Sequence, residues 1–204
     1  MVLRCNRWRP GVTAAFITED PTDSDVVGAF VDRLVGRSLQ KTHYLSKRGF
    51  GAVLTSAGPL TIQAARARPT FIIVLVDCDE TDDHFSAELP HQSCRLCRLE
   101  RVLPNAYQVA TLSENSSRLV PALTVRTIES WLAVAGGLPV PGSIHSFGKT
   151  PAERKQLKEL VYGDSSPTSA LIVRRGVELV ASADLNLMEA TLNSFASFAK
   201  LVRS

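Results

Sequence analysis

Residues Phe71 to Val76 form an unbroken run of six apolar side chains that stops abruptly at Asp77-Cys78-Asp79-Glu80-Thr81-Asp82-Asp83. Six residues are too few for a helix, and their β-branched content predicts a strand buried on both faces. Such a strand belongs inside a parallel sheet. In open sheets of that kind, ligands sit beyond the carboxyl ends of the strands, where Asp77 and Asp79 fall. On extended backbone the two carboxylates lie on one side. They repel unless a cation or proton lies between them, and hard divalent ions such as magnesium take oxygen ligands. The stretch therefore predicts a magnesium site at a strand end.

The rest of the chain alternates in the manner of an α/β fold. Thr13 to Thr18 reads as a first strand ending at Glu19-Asp20-Pro21-Thr22-Asp23. Val26, Val27, Phe30, Val31, Leu34 and Val35 then recur at helical spacing, with Thr22 and Asp25 as a capping pair and Gly36 as the stop. Lys41–Ser46 predicts a short second strand, Gly49-Phe50-Gly51 a loop, and residues 59–68 a second helix. A helix over Pro90–Val102 follows the acidic loop. Ala106–Leu112 and Ala122–Arg126 read as further strands, and Ile128–Leu132 as a helix. The pattern predicts a mostly parallel sheet with helices on both faces. Residues 1–12 form a leader and 13–135 the α/β domain. Residues 136–204 make a Gly/Pro-rich linker and a helical extension packed on that domain, with helices near 151–161, 168–182 and 187–202. In the last, Leu187, Thr191, Phe195, Phe198 and Val202 make a core-facing stripe.

Size and composition bound the reading. A chain of 204 residues with 45% hydrophobic side chains suits one domain with a small appendage, and its net charge of +3 does not by itself imply nucleic acid. No apolar run approaches a membrane span. Four cysteines without a repeating framework fit a reducing cytoplasm. There is no Gly-rich phosphate loop, so nucleotide hydrolysis by the chain itself is not expected.

Glu19 ends the first strand as Asp77 and Asp79 end the central one, so on neighbouring strands, about 4.8 Å apart, the three converge. Three blocks, Ile17–Asp23, Val74–Asp79 and Val125–Leu132, together with Pro151–Lys155 and Arg174-Arg175-Gly176 in the tail, resemble the TOPRIM domain. The likeness is to small stand-alone TOPRIM-like proteins related to overcoming-lysogenisation-defect nucleases. It implies a Rossmann-like TOPRIM fold and a metal-dependent nuclease acting on DNA or RNA, in some relatives in phage defence. It also implies one or two Mg2+ or Mn2+ ions on Asp77 and Asp79, Glu19 as ligand or general acid/base, and a separate ATPase partner. Glu129 is an extra acid for a second metal, or the surface partner of Arg126 along a helix. Asp82 and Asp83 are helper ligands or helix-terminal acids. Arg126 is a candidate phosphate contact, as are Arg174 and Arg175. The family usually carries glycine where this chain has Asp20, which adds charge beside Glu19. That departure sustains an alternative, a non-catalytic regulatory subunit of an ATPase-containing complex.

Two weaker signals stand apart. His84, His91, Cys94 and Cys97 are zinc-type ligands, but the histidines are irregularly spaced and a helix through both cysteines argues against a zinc knuckle. Arg95, Arg98 and Arg101, and likewise Lys155 and Lys158, recur every third residue, as either a phosphate-tracking stripe or a solvated helix face.

Overall fold

The computed structural model describes residues 12–44, 49–78, 84 and 93–204. Residues 1–11 of the expected leader, Asp79, Asp82, Asp83 and His91 lie outside them, while Val12, expected to end the leader, opens the first strand. The described chain is an α/β fold around a four-stranded, all-parallel sheet. Its strands are β1 (Val12–Ile17), β2 (Leu39–His43), β3 (Phe71–Asp77) and β4 (Arg118–Thr124). The order is β2-β1-β3-β4. From β1 the chain winds one way to β2, and from β3 it winds the other way to β4. The switch between these directions opens a crevice at the carboxyl ends of β1 and β3.

The apolar run divides as a two-faced strand must. Phe71, Ile73 and Leu75 join the core on one face, while Ile72, Val74 and Val76 join the clusters on the other. The first face is covered by α1 (Pro21–Val35), α5 (Ile128–Ala135), α7 (Ser169–Ser182) and α9 (Asn193–Arg203). The second is covered by α2 (Phe50–Arg66), α3 (Arg95–Glu100) and α4 (Ala106–Leu112). The remaining helices are α6 (Pro151–Tyr162) and α8 (Leu185–Thr191).

The C-terminal helices share the core of the sheet. Trp131 of α5 is fully buried against Phe30, Phe195 and Phe198, and its indole N–H donates to Ser194 Oγ at 3.0 Å. Gly176 lets α7 press on α1, since a Cβ there would meet Val26 at 2.6 Å. Arg33 donates to the carbonyls of Val180 and Ala183, and Arg118 to that of Val202, so cations close two helix C-termini.

Several boundaries differ from the sequence reading. Residues 106–112 are the helix α4, not a strand: Asn105 and Gln108 form a capping box after Pro104, and only Val109 is buried. β4 begins at Arg118, ahead of the expected Ala122, because an edge strand tolerates Pro121. The second helix starts at Phe50 and carries Pro59 in its interior, so Phe50 and Gly51 are helical, not loop. The cap of α1 is Asp20, whose box partner is Asp23, rather than Thr22 with Asp25. α3 spans only Arg95–Glu100 of the expected 90–102, with residues 90–92 outside the described set. The last helix breaks at Leu192 into α8 and α9, which leaves Leu187 more than half exposed instead of in the core stripe.

Candidate functional site

The carboxyl ends of β1 and β3 open into a cleft of about 580 Å³. Glu19, Asp23, Asp77 and Glu129 line one part of it, and Arg154, Lys155 and Lys158 of α6 line another. Each acid arrives by a different local device. Glu19 follows β1 directly. Its Oε1 accepts the backbone N–H of Asp77 at 2.9 Å, which stitches the two strand ends together. Asp77 closes β3, and its Oδ1 accepts the Thr124 hydroxyl at 2.6 Å from the end of β4.

Asp23 is brought in by the start of α1. Asp20, at φ −133°, caps the helix in extended backbone and accepts from Thr22 N and Thr22 Oγ1, while Asp23 accepts from Asp20 N. The residue that stands where the resembled family carries glycine is therefore a helix cap, with no left-handed conformation to explain.

Glu129 is aimed by a strained turn. Arg126 sits at φ +64°, and Thr127 N donates to Val125 O at 2.8 Å, which makes a three-residue γ-turn of positive φ. That turn swings the chain off β4 and puts Glu129, 4% exposed, in the first turn of α5. The Tyr162 hydroxyl lies against Glu129 without closing a hydrogen bond of good geometry.

Crowding of the acids shows in their proton affinities. Burial, then the charges of Glu129 and Asp20, push the Asp23 carboxyl up to about 8. Asp77 is also held well above the usual carboxylate range, first by burial and then by Asp23 and Glu19, with the Thr124 hydrogen bond opposing. Burial, with Glu129 and Asp23 nearby, likewise raises the Tyr162 phenol. Among the described residues the one cation paired with these acids is Arg95, whose Nη1 lies 3.2 Å from Glu19 Oε1 and donates to Asp77 O at 3.0 Å. An all-oxygen, carboxylate-rich set reached through an open cleft is a donor set that fits magnesium or manganese.

The basic candidates separate. Arg126 is buried, with Nε and Nη2 donating to His145 O, and does not line the cleft. Arg175 turns away to Val161 O and Glu178. Arg174 is exposed and borders a shallow depression beside the start of α1. Lys155, exposed, and Lys158, half-buried, both line the cleft. Of the other series, Arg95 is half-buried over the Phe50 ring, 4.6 Å from its centroid, while Arg98, 5.1 Å from the same centroid, and Arg101 are exposed as on a solvated face. Asp23 and Tyr162 escaped the sequence reading. Asp23 had a signal, because an acid three residues after a capping Asp faces back to the strand end, whereas Tyr162 had none.

A second hollow of about 440 Å³ lies between α2 and α4, lined by Ile62, Val102, Leu103 and Tyr107 among others. Its lining is mostly apolar, with Tyr107, Gln108 and Thr111 as the polar side chains. No helix among the described residues is long and apolar enough to cross a membrane. Comparison with protein-family models, with curated proteins and with solved structures finds no match.

Proposed function

We propose that the chain is a magnesium- or manganese-dependent nuclease of the TOPRIM type, cleaving DNA or RNA phosphodiesters. The observation that supports this most is the convergence of Glu19, Asp23, Asp77 and Glu129 on one cleft whose other side carries Lys155 and Lys158. Asp77 and Glu129 are the ligands offered from the described residues, joined in this reading by Asp79 and Asp83 from the acidic loop. Glu19 acts as a further ligand or as the general acid/base. The metal, when bound, supplies Lewis-acid activation of the phosphoryl group and a water of lowered pKa. Thr124 orients Asp77 through its hydroxyl. Asp23 stores a proton close to neutrality and so buffers the charge of the cluster. Lys155 and Lys158 hold the backbone phosphates of the substrate as point charges.

The test is cleavage of labelled single- and double-stranded DNA and RNA by the full chain with each metal. Asp77→Asn is expected to abolish cleavage; equal behaviour of wild type and variant sinks the reading. The same resemblance supports a role in phage defence beside a separate ATPase. Affinity purification from the native host that repeatedly returns this chain alone argues against that partner.

Arg95 favours a second reading. Its guanidinium already neutralises Glu19, as suits a non-catalytic subunit of an ATPase-containing complex. Unchanged cellular function in an Asp77→Asn, Asp79→Asn double variant would select it.

A further inference from the structure

Beyond β3 the chain carries a second group of ligand-type side chains, unlike the first. His84, Cys94 and Cys97 place their ligand atoms within 4.8 Å of one another. His84 Nδ1 lies 3.4 Å from each of the two sulfurs. A tetrahedral site with Zn–S of about 2.3 Å and Zn–N of about 2.0 Å has N···S edges of about 3.5 Å. The spacing is thus that of ligands around a common centre. Hydrogen bonding does not account for it as well. A ring nitrogen has one proton or one lone pair, which serves two sulfurs only through a weaker bifurcated bond. A cation at the centre uses the lone pairs of all three atoms.

The backbone around the cysteines fits this use. Cys94 is not within a helix. It is the N-cap of α3, at φ −61° and ψ 126°, with Cys97 in the first turn. Cys94 in extended backbone ahead of the helix and Cys97 inside its first turn make a knuckle-like pair, which removes the objection that two cysteines on one helix cannot converge. Cys94 is fully buried and Cys97 nearly so, among Ile17, Val76, Leu96 and Leu99. Two thiols and an imidazole in an apolar pocket make a soft set, which selects zinc over magnesium.

We propose that His84, Cys94 and Cys97 bind a structural zinc ion that ties His84 to the start of α3 and the core beneath it. Among the described residues these three supply three of the four corners of a tetrahedral ion. Arg95 lies between the two cysteines in sequence, so the clamp also fixes the guanidinium that meets Glu19 Oε1 and Asp77 O. The zinc site does not depend on the phosphodiester reading, because its occupancy is measured without nucleic acid.

The experiment is elemental analysis of the untagged full chain, reduced, freed of metal, reloaded with zinc and desalted against excess magnesium. One zinc per chain is expected in wild type, in Cys78→Ser and in Asp77→Asn, with loss in Cys94→Ser and Cys97→Ser. Cobalt loading of wild type should give the visible bands of a tetrahedral ion with two thiolate ligands, which decides the matter even where a serine variant fails to fold. No stoichiometric metal in the reloaded wild type overturns the proposal. So does zinc retained equally by a folded Cys94→Ser, Cys97→Ser double variant, or a cobalt spectrum without thiolate bands. A reduced wild type that takes up no zinc but re-forms a Cys94–Cys97 disulfide on oxidation identifies a redox pair instead, and also overturns it.

Discussion

The end of β3 is flanked by two clusters built on opposite principles. Towards α1, α5 and α6, four carboxylates face an open cleft, and burial and mutual repulsion raise the proton affinity of Asp23 and Asp77. Towards α2 and α3, a half-buried imidazole meets two thiols that are buried in an apolar cluster. The first group is costly to the apo fold and accessible to ligand. The second is sheltered and close to its own neighbours. A site for turnover has to stay open and electrostatically unfinished, whereas a structural site gains from being closed. Arg95 joins the two, since it sits in the knuckle and reaches Glu19.

The largest expected effect separates the clusters outright. Asp77→Asn and Glu19→Gln should each lower metal-dependent cleavage by about 10²-fold or more, the scale of a lost acid/base or charge-stabilising group. Zinc content and the circular dichroism spectrum should stay as in wild type. A variant that loses zinc together with activity would show that the two clusters are one unit, and would break the comparison.

Next in size is the pH dependence of stability. Asp23 is raised to about 8 and Asp77 is raised as well, so between about pH 4 and pH 8 the folded chain binds more protons than the unfolded one. The contribution is fully present below the unfolded value near 4 and is lost as pH rises through 8. Melting of the magnesium-free protein should therefore fall by several degrees from pH 5.5 to pH 8. Added magnesium should restore more at pH 8 than at pH 5.5, and Asp23→Asn should flatten the profile. A magnesium effect that is the same at both values would remove the charge argument for the cleft.

Arg95→Ala tests the bridge. Removing a cation 3.2 Å from Glu19, at a site where both side chains are largely shielded, frees a ligand that a divalent ion must otherwise share. Magnesium affinity by calorimetry should rise by about 3–10-fold, the modest scale of a partly solvated ion pair. Weaker binding would mean that Arg95 positions Glu19 for the metal rather than competing with it.

How much of this could be read from the chain follows from what each element depends on. The run Phe71–Val76 is buried on both faces, so hydrophobicity alone specified the central strand, and the acids at strand ends followed from topology. α4 was misread because a seven-residue helix with one buried residue has hardly any periodicity, and the informative signal was the Asn105–Gln108 box. The role of Arg126 was out of reach, since nothing in its neighbours' side chains announces a left-handed residue that is not glycine. The cysteine pair was discounted on the assumption of a longer helix. Helix boundaries are the least reliable part of a sequence reading, and here a start at Arg95 rather than near Pro90 turns two residues of a helix face into a knuckle.

The smallest effect sharpens the cleft side of the comparison. Lys155 is exposed and Lys158 half-buried, and both line the cleft from α6. If they contact substrate phosphates, each alanine variant should weaken binding of all sequences alike and reduce the slope of log affinity against log salt by about 1. Maximal cleavage at saturating substrate should barely change, because neither lysine adjoins the acids through any hydrogen bond or ion pair of the described residues. Glu159 supplies the control: it is exposed on the same helix but lines a different hollow, with Pro139 and Pro141, and its alanine variant should leave the slope where it is. A slope that moves equally in all three variants would mean that the field of the whole helix, and not the cleft, draws the nucleic acid.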